Sequence, residues 1–377
     1  MRIVVAAQAF KGTLSSISAC QAIADGLLLA WPSANITISP MADGGDGTLE
    51  TLTNSTHGIY HTTTATNPHG DAISATWSTM GGGRTAVIEM ARASGLALLP
   101  KDCLNPRTAT SYGTGELIQA ALNAGVDRII LGLGGSATND GGSGLMEALG
   151  IRFHDQNCED LHRGGSALSK LHHIDDINLD QRFPNTKILV ACDVTNTLLG
   201  PFGASAVYGP QKGASPEIVQ ELDEALTRYS QILKEYSGKD FTQTPGTGAA
   251  GGIAIALLTF GQVELRSGVE IVAESTGLAE KMNTADLVIT GEGQIDKSTI
   301  FNKAPIGVAK LAKQRNIPVA AIAGSLGPGH EDVMSHGIDF LESIAGEHIN
   351  LSTAMQEPYN SLRSTAERLG KKLTNSL

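Results

Sequence analysis

The chain has 377 residues, with 27 Lys and Arg against 38 Asp and Glu, and a formal net charge of −11 at pH 7. That length suggests two domains or one large core with an insertion. The acidic balance argues against a protein that holds nucleic acid on a basic face, and it means that any anion must be met by a local pocket of cations or backbone N–H groups.

The four cysteines, Cys20, Cys103, Cys158 and Cys192, are far apart and form no C-x-x-C pair. This spacing fits reduced thiols better than zinc ligation or a disulfide framework. The apolar run at Met1–Gln8 is too short for a signal peptide, and no stretch approaches the roughly 18 apolar residues of a membrane span. The expectation is a cytoplasmic protein with neither a nucleic-acid nor a membrane partner. Glycine numbers 44 and is clustered rather than periodic, which marks tight loops where backbone approaches something closely.

In chain order, Ile3–Ala7 reads as a strand, followed by a loop at Lys11-Gly12-Thr13 and a helix capped by Ser15, Ser16 or Ser18 that stops before Pro32. Ile36–Ile38 is a second strand ending in the turn Met41–Thr48, with a short helix after it. From 59 to 90 the pattern is β-rich with turns at Gly81–Gly83. A helix over Glu116–Asn123, a strand over Arg128–Leu131, the turn Gly132–Gly142 and a helix through Leu149 follow. The middle, 151 to 275, is less regular; it holds a strand at Lys187–Ala191, a helix over Pro216–Tyr236 and a glycine cluster at Gly246–Gly252. Strands at Leu287–Ile289, Val319–Ile322 and Phe340–Ser343 alternate with helices, and a terminal helix spans about 352–373. The predicted fold is α/β with two α/β domains. One is a doubly wound, Rossmann-like parallel sheet over 1–60 and 280–377, with 110–150 as a further candidate segment; the other is inserted at 61–279.

Ligands of open α/β sheets bind beyond the carboxyl ends of the strands. Five polar or glycine-rich segments fall at such places, at Lys11, Asp43–Thr48, Gly132–Gly142, Asp193 and Gly291–Asp296. Gly132–Gly142 is the phosphate-loop candidate, because it follows a strand and precedes a helix N-terminus. A tight turn without ligand would use the same residues. Gly246-x-Gly248-x-x-Gly251 follows Pro245 rather than a strand, so the dinucleotide context is wrong, and close packing or a nucleotide contact both remain open. No Walker A sequence is present. Phosphoryl transfer needs carboxylates for Mg²⁺ and for the attacking hydroxyl's proton, and cations for phosphate charge. Asp43, Asp46, Asp193, Glu292 and Asp296 are the strand-end acids, and Lys11, Lys212 and Lys303 the lysines in short glycine- or proline-bearing segments. The histidines read as surface groups.

Together these segments resemble the bacterial class I glycerate kinases. The resemblance is carried by Phe10–Leu14, Met41–Thr48, Gly113–Ile118, Gly132–Gly142, Ala191–Val194, Gly209–Gly213, Gly246–Gly252, Leu265–Gly268, Ile289–Gly293 and Lys303–Ala309, from the first strand to the last helix. It implies ATP- and Mg²⁺-dependent phosphorylation of D-glycerate to 2-phosphoglycerate, and leaves a homodimer open. On the matching positions, side-chain chemistry suggests catalytic duty for Asp193, Asp296, Lys11 and Lys212. It suggests nucleotide-phosphate contacts for Gly134, Gly135, Ser136, Thr138, Asn139 and Lys303, metal ligation for Asp43, Asp193 and Glu292, and substrate contacts for Lys11, Lys212 and Arg266.

Two segments depart from the family pattern. Pro-Asp-Ser usually closes the first strand, where Ala7-Gln8-Ala9 stands here, and Gln294 replaces an arginine after Gly-Glu-Gly. These changes motivate an alternative, a catalytically weak relative that binds nucleotide or a sugar acid, or a kinase for a related small hydroxy acid. A nicotinamide-dependent oxidoreductase is suggested only by loose glycine fingerprints.

Overall fold

Five consecutive apolar or small residues after Arg2 can pair on both edges and bury both faces, and Arg2–Ala7 forms an interior strand, β1, of a parallel sheet. The computed structural model of the chain describes residues 1–301, 303–345 and 351–374. These fall into two compact units, one of residues 1–43, 50–56 and 267–377, the other of 44–49 and 57–266. Residues 110–150 belong to the second.

The first unit opens with β1 and β2 (Asn35–Ile38). The second contains β3 (Ile59–Thr66), β4 (Ala72–Thr79), β5 (Thr85–Glu89), β6 (Arg128–Gly132), β7 (Arg152–His154), β8 (His173–Asp175), β9 (Lys187–Ala191) and β10 (Gln262–Arg266). The chain then returns to the first unit through β11 (Leu287–Ile295), β12 (Val319–Leu326) and β13 (Phe340–Ser343).

The first unit's five strands are all parallel, in the order β13-β12-β11-β1-β2. Ile3, Val5 and Ala7 of β1, with Leu287, Ile289, Ala320 and Ile322, pack under two helices, Ser16–Ala30 and Pro358–Leu373. Ser15 starts the first of these by accepting from the Ser18 N–H at 3.2 Å, and Ala19, Ile23 and Leu27 form its buried stripe. The single terminal helix predicted from sequence is two, Leu351–Gln356 and Pro358–Leu373. Pro358 lacks the N–H needed to continue a helix and is suited to begin one. On the other face, the helix Ala304–Lys313 packs on β11 and β1.

In the second unit a six-stranded mixed sheet runs β10-β9-β6-β5-β4-β3. Its first four strands are parallel, while β3 and β4 add an antiparallel hairpin at the edge. The fold class is the expected mixed α/β with parallel sheets. Sequence reading missed β7, β8 and β10, and the helices Gly268–Ser275 and Leu278–Met282. No helix among the described residues is long and apolar enough to cross a membrane.

Gly26 is where the two helices on the first sheet touch. A Cβ there would lie 2.1 Å from the Arg363 carbonyl oxygen and 2.8 Å from the Ala366 Cβ. Backbone cannot yield as a side chain does, so Gly26→Ala is expected to destabilise the chain by about 1–3 kcal/mol or more. Equilibrium denaturation would measure this, and an unchanged midpoint would contradict the packing described.

Candidate active site

The first sheet grows in two directions. From β1 the chain moves to β2 on one side, and later from β11 to β12 and β13 on the other. The loops leaving β1 and β11 therefore part, and such a switch point is where open α/β sheets form a crevice. A cavity of about 570 Å³ lies there, lined among others by Gln8, Lys11, Asp43, Glu292, Gln294 and Lys303. Four of the residues singled out from sequence, Lys11, Asp43, Glu292 and Lys303, are thus brought together. Thr13 and Ser325 also line the cavity. Neither was singled out as a site residue, because one hydroxyl in a loop or at a strand end has no pattern of its own.

Glu292 is the most perturbed group of the cavity. Only 7% of it is exposed, and its Oε1 accepts from the Thr299 hydroxyl at 2.8 Å. Burial raises its carboxyl to about 7, opposed by the Lys303 ammonium and the Thr299 bond, and reinforced by the charges of Asp43 and Asp296. Beside it, Gln8 Nε2 donates to Asp43 Oδ2 at 2.7 Å. Where the resemblance led to the expectation of a carboxylate, a neutral donor faces an acid.

Asp296 does not line the cavity. It caps the short helix Lys297–Ile300, where its Oδ1 accepts from the Ser298 N–H at 2.8 Å and the Ser298 hydroxyl at 2.5 Å. That hydroxyl, first of all, holds its carboxyl below the usual range.

In the second unit, the carboxyl ends of the parallel strands align in one row, Glu89 beside Gly132, Gly132 beside Ala191, and Ala191 beside Arg266. The loop after β6, Asp193 and Arg266 therefore share an edge. Arg266 Nε lies 3.8 Å from Glu264 Oε1. The turn Gly44–Asp46 lies on this loop, so closely that a Cβ on Gly134 would sit 2.6 Å from Gly45 Cα. Glu89 Oε1 accepts from the Leu49 N–H at 3.0 Å, in the helix that follows the turn, and its Oε2 accepts from Arg92 Nε at 2.8 Å.

The interior of the loop is filled by its own chain. Lys212, 1% exposed, donates to Ser136 Oγ at 2.9 Å and to the Thr138 carbonyl oxygen at 2.6 Å. Burial lowers its ammonium to about 7, partly offset by the charge of Asp140. Asp140 is itself buried, and burial raises its carboxyl despite four bonds, from the Ser111 N–H and hydroxyl and from the N–H groups of Gly142 and Gly144. Thr138 and Asn139 are wholly enclosed, with Asn139 Nδ2 donating to Ser205 Oγ at 2.9 Å. The expectation of free N–H groups at the following helix is corrected on two counts. That helix, Ser143–Ala148, is short, and Asp140 already occupies its first amides.

In the turn itself Gly135 is exposed, Gly134 is half-buried and Ser136 is buried. Among the described residues the N–H groups of Gly134, Gly135 and Ser136 meet no protein acceptor. Gly135 is exposed with φ +74°, a left-handed conformation that glycine takes without strain. Successive amides in such a turn form a concavity for an anion. Gly246–Gly252 packs behind this loop, with the Gly141 N–H donating to the Gly251 carbonyl oxygen at 2.9 Å.

The sequence profile of the glycerate kinase family matches residues 3–374. A glycerate kinase of Bacillus subtilis is 46% identical over 366 residues, covering 97% of this chain and 96% of the relative. A glycerate 2-kinase of Escherichia coli is 44% identical over 362 residues, covering 96% and 95%. The crystal structure of a Salmonella typhimurium LT2 protein assigned as glycerate kinase 2 superposes with a TM-score of 0.90 at 44% identity, covering 100% of this chain and 99% of that one. The chain belongs to the glycerate kinase family.

The buried carboxyl gives a stability test. Raised from 4.5 to about 7, Glu292 binds more protons folded than unfolded between those values. Its ionisation therefore lowers stability progressively as pH rises through that window, and fully above it. Glu292→Gln is expected to gain thermal stability relative to the parent as pH rises across the window. A difference constant with pH would contradict the burial of this charge.

Proposed function

We propose that the chain transfers the γ-phosphoryl group of ATP to D-glycerate, with 2-phosphoglycerate as product. The observation that carries this reading is the cavity at the first unit's switch point, where Lys11 and Lys303 share one lining with Asp43 and Glu292. A small hydroxy acid needs a cation for its carboxylate and a base for its hydroxyl, and a transferring phosphoryl needs further positive charge. This cavity offers both signs.

In this reading Lys11 and Lys303 hold the acceptor carboxylate and the transferring phosphoryl. The acceptor hydroxyl oxygen bonds to the γ phosphorus as the bridging bond to ADP breaks, and the electron pair leaves with ADP. Glu292 takes the hydroxyl proton. Its carboxyl lies near 7, which suits a group that must accept a proton at neutral pH and give it up again. Asp296, committed to its cap, is replaced in this role. Lys212, enclosed within the loop of the second unit, is withdrawn as a direct substrate contact. The unpaired amides of Gly134, Gly135 and Ser136 are proposed for nucleotide phosphate.

Among the described residues no three His, Cys, Asp or Glu side chains gather to hold a metal. Mg²⁺ usually takes one or two carboxylates and completes its shell with water and phosphate oxygens. Asp43 is the cavity carboxylate suited to it, oriented by Gln8 Nε2. The ion would offset phosphate charge.

Coupled ADP release with D-glycerate, followed by phosphorus NMR of the product, tests the reading. Turnover and a phosphate on the 2-hydroxyl are expected. Nucleotide or glycerate affinity without turnover would favour the weak relative that Gln8 and Gln294 suggest, and a 3-phosphate would overturn the regiochemistry. Lys303→Met is expected to lower kcat/KM by about 10²-fold or more, and a parent-like value would remove Lys303 from the site.

A further inference from the structure

Beneath the Gly134–Ser136 turn of the second unit lies a buried lysine. Lys212 sits in a one-turn helix, Pro210–Lys212, closed by Gly213. Its side chain runs wholly inside the protein, and its ammonium ends between Ser136 Oγ at 2.9 Å and the Thr138 carbonyl oxygen at 2.6 Å. A buried cation is tolerated only when such groups replace its water. On the far side of the same loop, Asp140 takes the Ser111, Gly142 and Gly144 amides. The turn is therefore tied on both flanks, by a cation at Ser136 and Thr138 and by an anion at the start of the next helix.

We propose that Lys212 is a positioning residue of the nucleotide-phosphate turn, cross-linking Ser136 and Thr138 so that the Gly134, Gly135 and Ser136 amides converge on one anion, without touching substrate itself. This rests on the reading of that turn given under Proposed function. The physical content is pre-organisation. Three amides aimed at one point in advance bind an anion without first losing the freedom of a glycine-rich loop. In its protonated form the same group lends positive potential from behind, which an acidic protein needs where it meets a polyphosphate. Ser136 cannot also donate along this bond, because its hydroxyl oxygen is the acceptor of the lysine N–H.

The test uses the full-length chain and Lys212→Met, which keeps an unbranched apolar stem. The KM for ATP is expected to rise about tenfold or more while the KM for the acceptor stays within about twofold. Hydrogen exchange at Gly134–Ser136 in the ligand-free protein is expected to accelerate. Ser136→Ala keeps the lysine and removes one of its two contacts, so it should move the same two readouts in the same direction by less. It keeps the proposal testable if Lys212→Met does not fold. A rise confined to the acceptor KM would make Lys212 a substrate contact and overturn the proposal, as would parent-like exchange at the turn. Exchange does not depend on turnover. An inactive parent whose exchange still responds to the variants would count against the functional reading alone, and an active parent whose exchange does not respond would count against this proposal alone.

Discussion

Parallel pairing decides where the chemistry of this molecule can lie. When strands run the same way, their carboxyl ends meet on one edge, and whatever follows each strand is gathered there regardless of distance in sequence. In the first unit, β1 pairs with β11 from Ile3 beside Leu287 to Ala7 beside Gly291. That register sets Gln8 and Lys11 beside Glu292 and Gln294, although nearly the whole chain separates them. In the second, the row from Glu89 through Gly132 and Ala191 to Arg266 does the same for four other loops.

Gathering polar groups at a buried edge has an energetic consequence. Glu292, Asp140 and Lys212 are ionisable groups enclosed by protein, and burial is the largest influence on each. The fold answers each differently. Asp140 is satisfied by four donors and serves the architecture. Lys212 has two acceptors and serves the loop. Glu292 has one bond to its Oε1 and lines the cavity. A buried acid with little internal satisfaction and an opening beside it is the kind that chemistry uses.

Much of this was legible beforehand, for reasons that can be named. Lys187–Ala191 and Phe340–Ser343 were read to the residue, the first from its apolar run and the second from its place in the strand–helix alternation. β10 was missed because Gln262, Glu264 and Arg266 alternate polar residues along an edge strand. β11 was cut short at Ile289, since Gly291 and Gly293 punctuate the sequence. Pairing with β12 nevertheless carries the strand on to Ile295, which lies beside Leu326. Among the site residues, the lysines and acids were found by their position after strands. Their partners were not, because Lys212 reaches Ser136 across 76 positions and no local spacing encodes that. Asp296 had the sequence of a cap as much as of a catalyst, and only the geometry at Ser298 decides between them.

Two lysines and two acids lining one cavity of the first unit are the core of the account, and what they hold can be seen directly. A crystal structure with D-glycerate bound is the most direct measurement. The account expects the carboxylate within hydrogen-bond distance of Lys11 or Lys303 and a hydroxyl turned toward Glu292. An acceptor ordered elsewhere, with both lysines left to solvent, would contradict it.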